Sequence, residues 1–343
     1  MGDFYAINAK VSDLKRGIFD KTDYDKIISF GERSSIIDYL KPNPIYKDKI
    51  EMLLGESVLR RSIETFILQS EANVLLKLRH HFSGNDKRLV DAMLLKYEFE
   101  DVKLILRALS QNETIDKDKD LLLYENEQKL SYDQLLASES IRQAVEYLST
   151  TSYKRVFAGL TDEDTKTLQF HTEMRLDSAY FSALNDAIST FSGKSSKALS
   201  DYVTSKIDIF NVKWIYRAKK YYKMLPEEIY NYSFRFGRKV RGQVLKDLVY
   251  AGSIEEFIQL IKKYKLDDIF YDIDSNDRTV KFSFLYMYEK SLKGIGNYEN
   301  NIGMFLKFYV SMIIQNKNLI RIGESQKYGL SKEETEKYLV KMA

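Results

Sequence analysis

Few residues in this chain have the type and spacing that chemistry requires. Gly193-Lys194-Ser195 has the look of the end of a phosphate-binding loop. A backbone cradle for phosphates needs a glycine five residues before that Gly, and Ile188 stands there. Leu184–Phe191 reads as helix where a strand should lead in. Gly294-Ile-Gly296 begins like a dinucleotide fingerprint, but Glu299 occupies the third glycine position. Both stretches are read as ordinary inter-element segments. The three histidines, His80, His81 and His171, have no second ligand at metal spacing, and His80 and His81 would diverge by about 100° on a helix. Cysteine is absent, so thiolate catalysis, disulfides and Cys-ligated metals are excluded. No catalytic set, metal site or cofactor site is expected.

Cationic clusters are the remaining candidates. Arg235, Arg238, Lys239 and Arg241 lie within seven residues without an acid. They would meet phosphates, anionic headgroups or the acidic side chains of a partner. From Lys206 to Lys246 eleven Lys/Arg stand against three acids, while Gln111–Tyr147 carries nine acids against four Lys/Arg. The total charge is only +3, which argues against nucleic acid. Lys103/Arg107 and Lys213/Arg217 sit at i, i+4 on one helix face, and such like charges call for neutralising acids nearby. An internal ion-pair network is the favoured reading, direct partner contact the second.

The elements that position these residues are read as helices. Three prolines in 343 residues leave little turn chemistry for a β-rich fold. Ser131…Gln134, Ser253…Glu256 and Ser331…Glu334 have capping-box spacing, and Thr22…Asp25 is a weaker version. Ile254, Phe257, Ile258 and Ile261 fall on one helical face. Gly55, Gly84, Gly193 and Gly252 punctuate helix ends. Only Val280–Tyr288 could be mistaken for strand. The start, MGDFYAINAK, lacks the features of a signal peptide. No apolar run reaches the ~18 residues of a membrane span.

The most informative pattern is a repeat. KYEFEDVKLILRA, ending at Ala108, aligns with KIDIFNVKWIYRA, ending at Ala218, and a weaker third copy surrounds Asn318. Short-helix openings at Tyr24, Tyr132 and Leu245 recur at a similar spacing. Three helical units follow, set at 1–110, 111–222 and 223–343. A solenoid repeats at about 20–50 residues, so this period is too long for one.

FYAINAKVSDLKRGIFDKTDYDKIISF, the two repeat helices and the ending KNLIRIGESQKYGLSKEETEKYL together resemble the C-subunit family of V/A-type ATPases, related to the d-type subunit of eukaryotic V-ATPases. The similarity runs from about Phe4 to Tyr338. Asp101, Lys103 and Arg107, then Asn211, Lys213 and Arg217, and finally Asn318 fall on the family's repeated helix. Asp101 stands where the family often has Asn, Gln315 where an acid is expected and Ile320 where a base is expected. The resemblance implies an all-α fold of three similar domains in a pseudo-threefold funnel. It also implies a non-catalytic adaptor between D- and F-type rotor shaft subunits and the membrane proteolipid ring, at the cytoplasmic face of the membrane. The competing reading is a helical scaffold for acidic partners or RNA.

Overall fold

The computed structural model describes residues 4–30, 33–50, 60–123, 130–158, 168–270 and 301–340. All regular structure among them is helical. Gly55, Val280–Tyr288 and Gly294–Gly296 lie outside the described residues.

Contacts gather the chain into two compact units, one of residues 3–36 with 188–343 and one of residues 37–187. The second is built on a helical hairpin of α4 (Arg60–Arg79) and α5 (Gly84–Gln111). A four-residue link turns the chain, and Glu71–Tyr97 and Arg79–Asp91 pair in antiparallel register across it. The inner stripe of α5 includes Val90, Tyr97, Val102 and Leu106, each fully buried. Burial of such a stripe, at about 25 cal/mol per Å² of apolar area, is what fixes a long helix on its neighbour. Three short helices follow α6 (Lys117–Asp120): α7 (Tyr132–Leu136), α8 (Ile141–Thr150) and α9 (Lys154–Phe157). Ser131 caps α7 by accepting from the Gln134 N–H, and Ser140 caps α8. α10 (Leu168–Ser189) ends this unit.

The other unit contains both ends of the chain. Here α1 (Phe4–Lys15) packs on α15 (Asn301–Lys327). α2 (Lys21–Ser29) packs on α16 (Lys332–Tyr338), and α3 (Arg33–Leu40) follows. The cap of α2 differs from expectation. Asp20 and Asp23 form the capping box, because Asp20 is the residue with extended backbone at the helix start, and Thr22 already lies inside the first turn. The Ser331–Glu334 box forms as expected, whereas Glu256 reaches past Ser253 to the Gly252 N–H.

α11 (Gly193–Arg217) runs into a π-helical turn, Ala218–Tyr222. α12 (Pro226–Asn231) starts on a proline, which supplies a helical φ and has no amide hydrogen to leave unpaired. α13 (Gly242–Tyr250) and α14 (Ile254–Lys263) complete the described helices, and α11 packs on both α13 and α15. The aromatic rings of Tyr216, Phe257 and Phe270 meet at 4.9–6.1 Å in this core. Among the described residues no helix is long and apolar enough to cross a membrane.

Candidate functional site

The repeat positions on α5, α11 and α15 perform one recurring task. Each puts a polar side chain, fully buried, onto the backbone of a segment 21–23 residues further along. Asp101 on α5 accepts from the amides of Leu122 (2.7 Å) and Leu123 (2.9 Å) and from the Tyr132 hydroxyl (3.0 Å). On α11, Asn211 accepts from the Phe234 amide at 2.9 Å and donates to the Phe234 carbonyl at 2.7 Å. Asn318 on α15 does the same to Val340, with both bonds at 2.9 Å. A helix side chain thus replaces a strand neighbour for backbone that has none.

One turn earlier on each of two helices lies a second clasp, which the sequence reading misses. Asp208 accepts from the Lys239 and Val240 amides at 2.8 and 2.9 Å. Gln315 accepts from the Phe19 amide at 2.6 Å and donates to the Gly17 carbonyl at 2.9 Å. The signal is the spacing of three residues, which stacks Asp208 over Asn211 and Gln315 over Asn318 on one face. Burial of Asp101 pushes its carboxyl up to about 7, against three hydrogen bonds that favour the ionised form.

The paired cations separate. Lys103 is held by Asp177 at 2.5 Å and Glu100 at 3.1 Å, and Arg107 makes a two-bond fork to Glu173 at 2.7 and 2.8 Å. Among the described residues Lys213 and Arg217, at the same register, form no such network. Arg217 donates to the Tyr222 hydroxyl, and burial, with the nearby charges of Lys317 and Arg321, lowers the Lys213 ammonium. Ile320 stands at the third copy's lysine position.

The basic segment lies against α11. Arg238 pairs with Asp201 at 2.8 Å, and Lys239 reaches Asp268 and the Lys265 carbonyl. Arg235 and Arg241 are exposed, with the Arg235 guanidinium 5.1 Å from the Tyr230 ring centre. Two of the four cations are therefore occupied internally. Gly237, between them, is closely confined: a Cβ there would lie 2.4 Å from an Asp208 oxygen and 2.6 Å from the Val240 carbonyl oxygen.

Gly193 begins α11 in a left-handed conformation (φ +65°), directly after α10, so helix precedes it. His80 and His81 are exposed in the α4–α5 turn, and His171 meets the Phe170 ring edge-on. Among the described residues no group of three or more acids or histidines could hold a metal ion. A cavity of about 140 Å³ opens beside the Asn318 clasp, lined in part by Phe19, Tyr24, Leu339 and Val340. It is smaller than the roughly 300–1,000 Å³ of ligand pockets.

Comparison with known proteins places this arrangement. The model of the ATP synthase (C/AC39) subunit family matches residues 7–338. The chain belongs to that family. It is 24% identical to the C subunit of the A-type ATP synthase of Archaeoglobus fulgidus over 337 residues, covering 97% of this chain and 95% of the relative. With the corresponding C subunit of Methanocaldococcus jannaschii the identity is 22%, covering 98% and 86%. The match to the C subunit of Methanosphaera stadtmanae is 25% identical but spans 55% of this chain and 49% of that protein. In this C/AC39 member the three clasps fall in order along the matched region, at Asp101, Asn211 and Asn318. The family places the chain as a subunit of an ATP synthase complex.

Proposed function

We propose that this chain is the non-catalytic central-stalk adaptor of a V/A-type rotary ATPase. It joins the D- and F-type shaft subunits to the membrane proteolipid ring, as a peripheral subunit at the cytoplasmic face. The observation that carries the reading is the threefold use of one device, a long helix that clasps the backbone following it. A spacer that transmits torque needs stiffness distributed around its circumference, and three copies of one braced unit supply it. We extend this to three helical domains, 1–110, 111–222 and 223–343, about a pseudo-threefold axis, with the socket above and the ring below. The exposed Arg235 and Arg241 are candidate partner contacts in that arrangement.

The test is assembly. An affinity-tagged chain purified from detergent-solubilised membranes of its own cell should recover the shaft subunits and the proteolipid ring together. Recovery of the chain alone, or with unrelated proteins, would overturn the reading. The purified chain should hydrolyse no ATP, and nucleotide turnover by it would overturn the non-catalytic assignment.

A further inference from the structure

The short helices α2 and α7 open the same element of the repeat, with Tyr24 and Tyr132 at equivalent positions. The Tyr132 hydroxyl donates to Asp101 at 3.0 Å, which ties α7 to the first clasp. Tyr24 stands at the third clasp, where both ends of the Asn318 amide are committed to Val340. Among the described residues the buried Tyr24 hydroxyl has no hydrogen-bond partner. The latch is unmade, and the cavity of about 140 Å³ is lined by both of its members, Tyr24 and Asn318. Phe19, Ile28 and Leu339 supply apolar wall. A cavity of roughly 150 Å³ takes one benzene ring, so this one has room for a single side chain the size of Leu, Met or Phe.

Two exposed apolar side chains run alongside. Tyr328 and Leu330, 65% and 38% exposed, lie in the link from α15 to α16. Gln326, two residues before Tyr328, donates to the Phe30 carbonyl at the end of α2 at 2.7 Å. Lys332, two residues after Leu330, lies 3.5 Å from Asp25 on α2. Both sides of the link are thus tied to α2. Charge then selects the visitor. Asp20, Asp25 and Glu336 line the cavity against Lys21. Over residues 20–29 and 332–338 six acids stand against four lysines, in a chain whose net charge is +3. A net acidic surface favours a cationic partner. We propose that the cavity between α2 and the end of α16 is an anchor slot for one apolar side chain of a neighbouring subunit, carried beside a Lys or Arg, with Tyr328 and Leu330 as the flanking contact. A few anchors seated in such pockets carry most of an interface's energy. The identity of the partner rests on the adaptor reading.

The test uses the full-length chain. Ile28→Phe fills the slot, and its melting temperature should equal or exceed that of the unmodified chain. Its affinity for the shaft subunits or for the proteolipid ring, each titrated separately, should fall about tenfold or more. Tyr328→Ser with Leu330→Ser, both at exposed positions, should weaken the same contact at an unchanged melting temperature. Isopentylamine, a branched apolar group bearing an ammonium, should raise the melting temperature of the unmodified chain and not that of Ile28→Phe. Its anionic counterpart, 4-methylpentanoate at matched ionic strength, should raise it less. Should Ile28→Phe melt lower, the serine variant and the amine decide. Unchanged affinity for both partners in these variants would overturn the proposal and leave the adaptor reading standing. An equal rise with the carboxylate would overturn the cationic assignment. Self-association of the purified chain that Ile28→Phe abolishes would give the slot to a second copy and overturn the assignment to a neighbouring subunit. An unmodified chain that binds neither shaft nor ring would overturn the adaptor reading, while a rise with isopentylamine would still support the slot.

Discussion

Asn318 and Val340 are joined by two hydrogen bonds of 2.9 Å, one in each direction, and Asn211 holds Phe234 in the same way. Each of these amides faces one N–H and one C=O of a single residue. The backbone and hydroxyl groups that Asp101 and Asp208 hold among the described residues are all donors. Gln315 again faces one of each. The choice of acid or amide therefore follows the polarity of the backbone being held.

That rule predicts the outcome of exchanging them. Asn318→Asp and Asn211→Asp each aim a carboxylate oxygen at a carbonyl. Asp101→Asn aims an NH₂ at an N–H. Each exchange should cost about 1–3 kcal/mol, the penalty of an unsatisfied buried group. Urea denaturation at neutral pH measures it, and a cost below about 0.5 kcal/mol in all three would show that the clasps are not specific.

Gly237→Ala should destabilise the unit of residues 3–36 and 188–343. The added methyl has an Asp208 oxygen and the Val240 carbonyl oxygen well inside van der Waals contact. Overpacking of this kind costs typically 1–3 kcal/mol. Since backbone is one of the two neighbours, a side-chain rotation alone does not relieve it. Thermal melting reads the effect, and a melting temperature equal to that of the unmodified chain would contradict this confinement.

Asp101 should give the protein a pH dependence, with stability falling as pH rises. Its folded carboxyl is raised to about 7, while the unfolded group titrates near 3.8. Between those values the folded chain binds more protons than the unfolded one. This group's contribution is complete below about pH 4 and is lost as pH rises towards 7. Stability of the unmodified chain, compared with Asp101→Asn across that window, should fall with pH by on the order of a few kcal/mol more. Parallel profiles would rule the effect out.

The basic segment should divide into two behaviours. Reversing Arg235 and Arg241 to Glu leaves the fold within about 0.5 kcal/mol, as exposed sites usually do. It should weaken assembly with the shaft or ring in a salt-sensitive manner. Reversing Arg238 instead opposes Asp201, and its main effect should be on stability. Co-elution at low and high salt, beside denaturation curves, separates the two.

The helical class and the repeat are legible in the sequence because they rest on local signals. Capping residues and apolar periodicity act over a few residues, and Val102 and Val212, aligned by sequence, are both fully buried. Lys103 and Lys213 are equivalent in spacing, yet Lys103 is neutralised by Glu100 and Asp177 while no such pair meets Lys213 among the described residues. That difference is set by Asp177, 74 residues from Lys103, and by α15, which approaches Lys213 from about a hundred residues on. Spacing within a helix carries no information about such neighbours. In the sequence the departures at Asp101 and Gln315 look like a weakening of the motif. They match the donor and acceptor pattern of backbone that only the folded chain brings near.

The bond between Gln315 and the Gly17–Phe19 backbone spans almost 300 positions. During synthesis, α1 and the segment after it leave the ribosome long before α15 exists. At about 5–20 residues per second the delay is roughly 15–60 seconds. Ile7, Val11 and Leu14, which end up buried against late-made helix, stay open to water for that interval. Residues 37–187 meet no such wait and can close as they emerge. A nascent chain stalled before residue 301 therefore displays an apolar amphipathic tail on an otherwise finished unit, which is the kind of surface that holdase chaperones bind and proteases read.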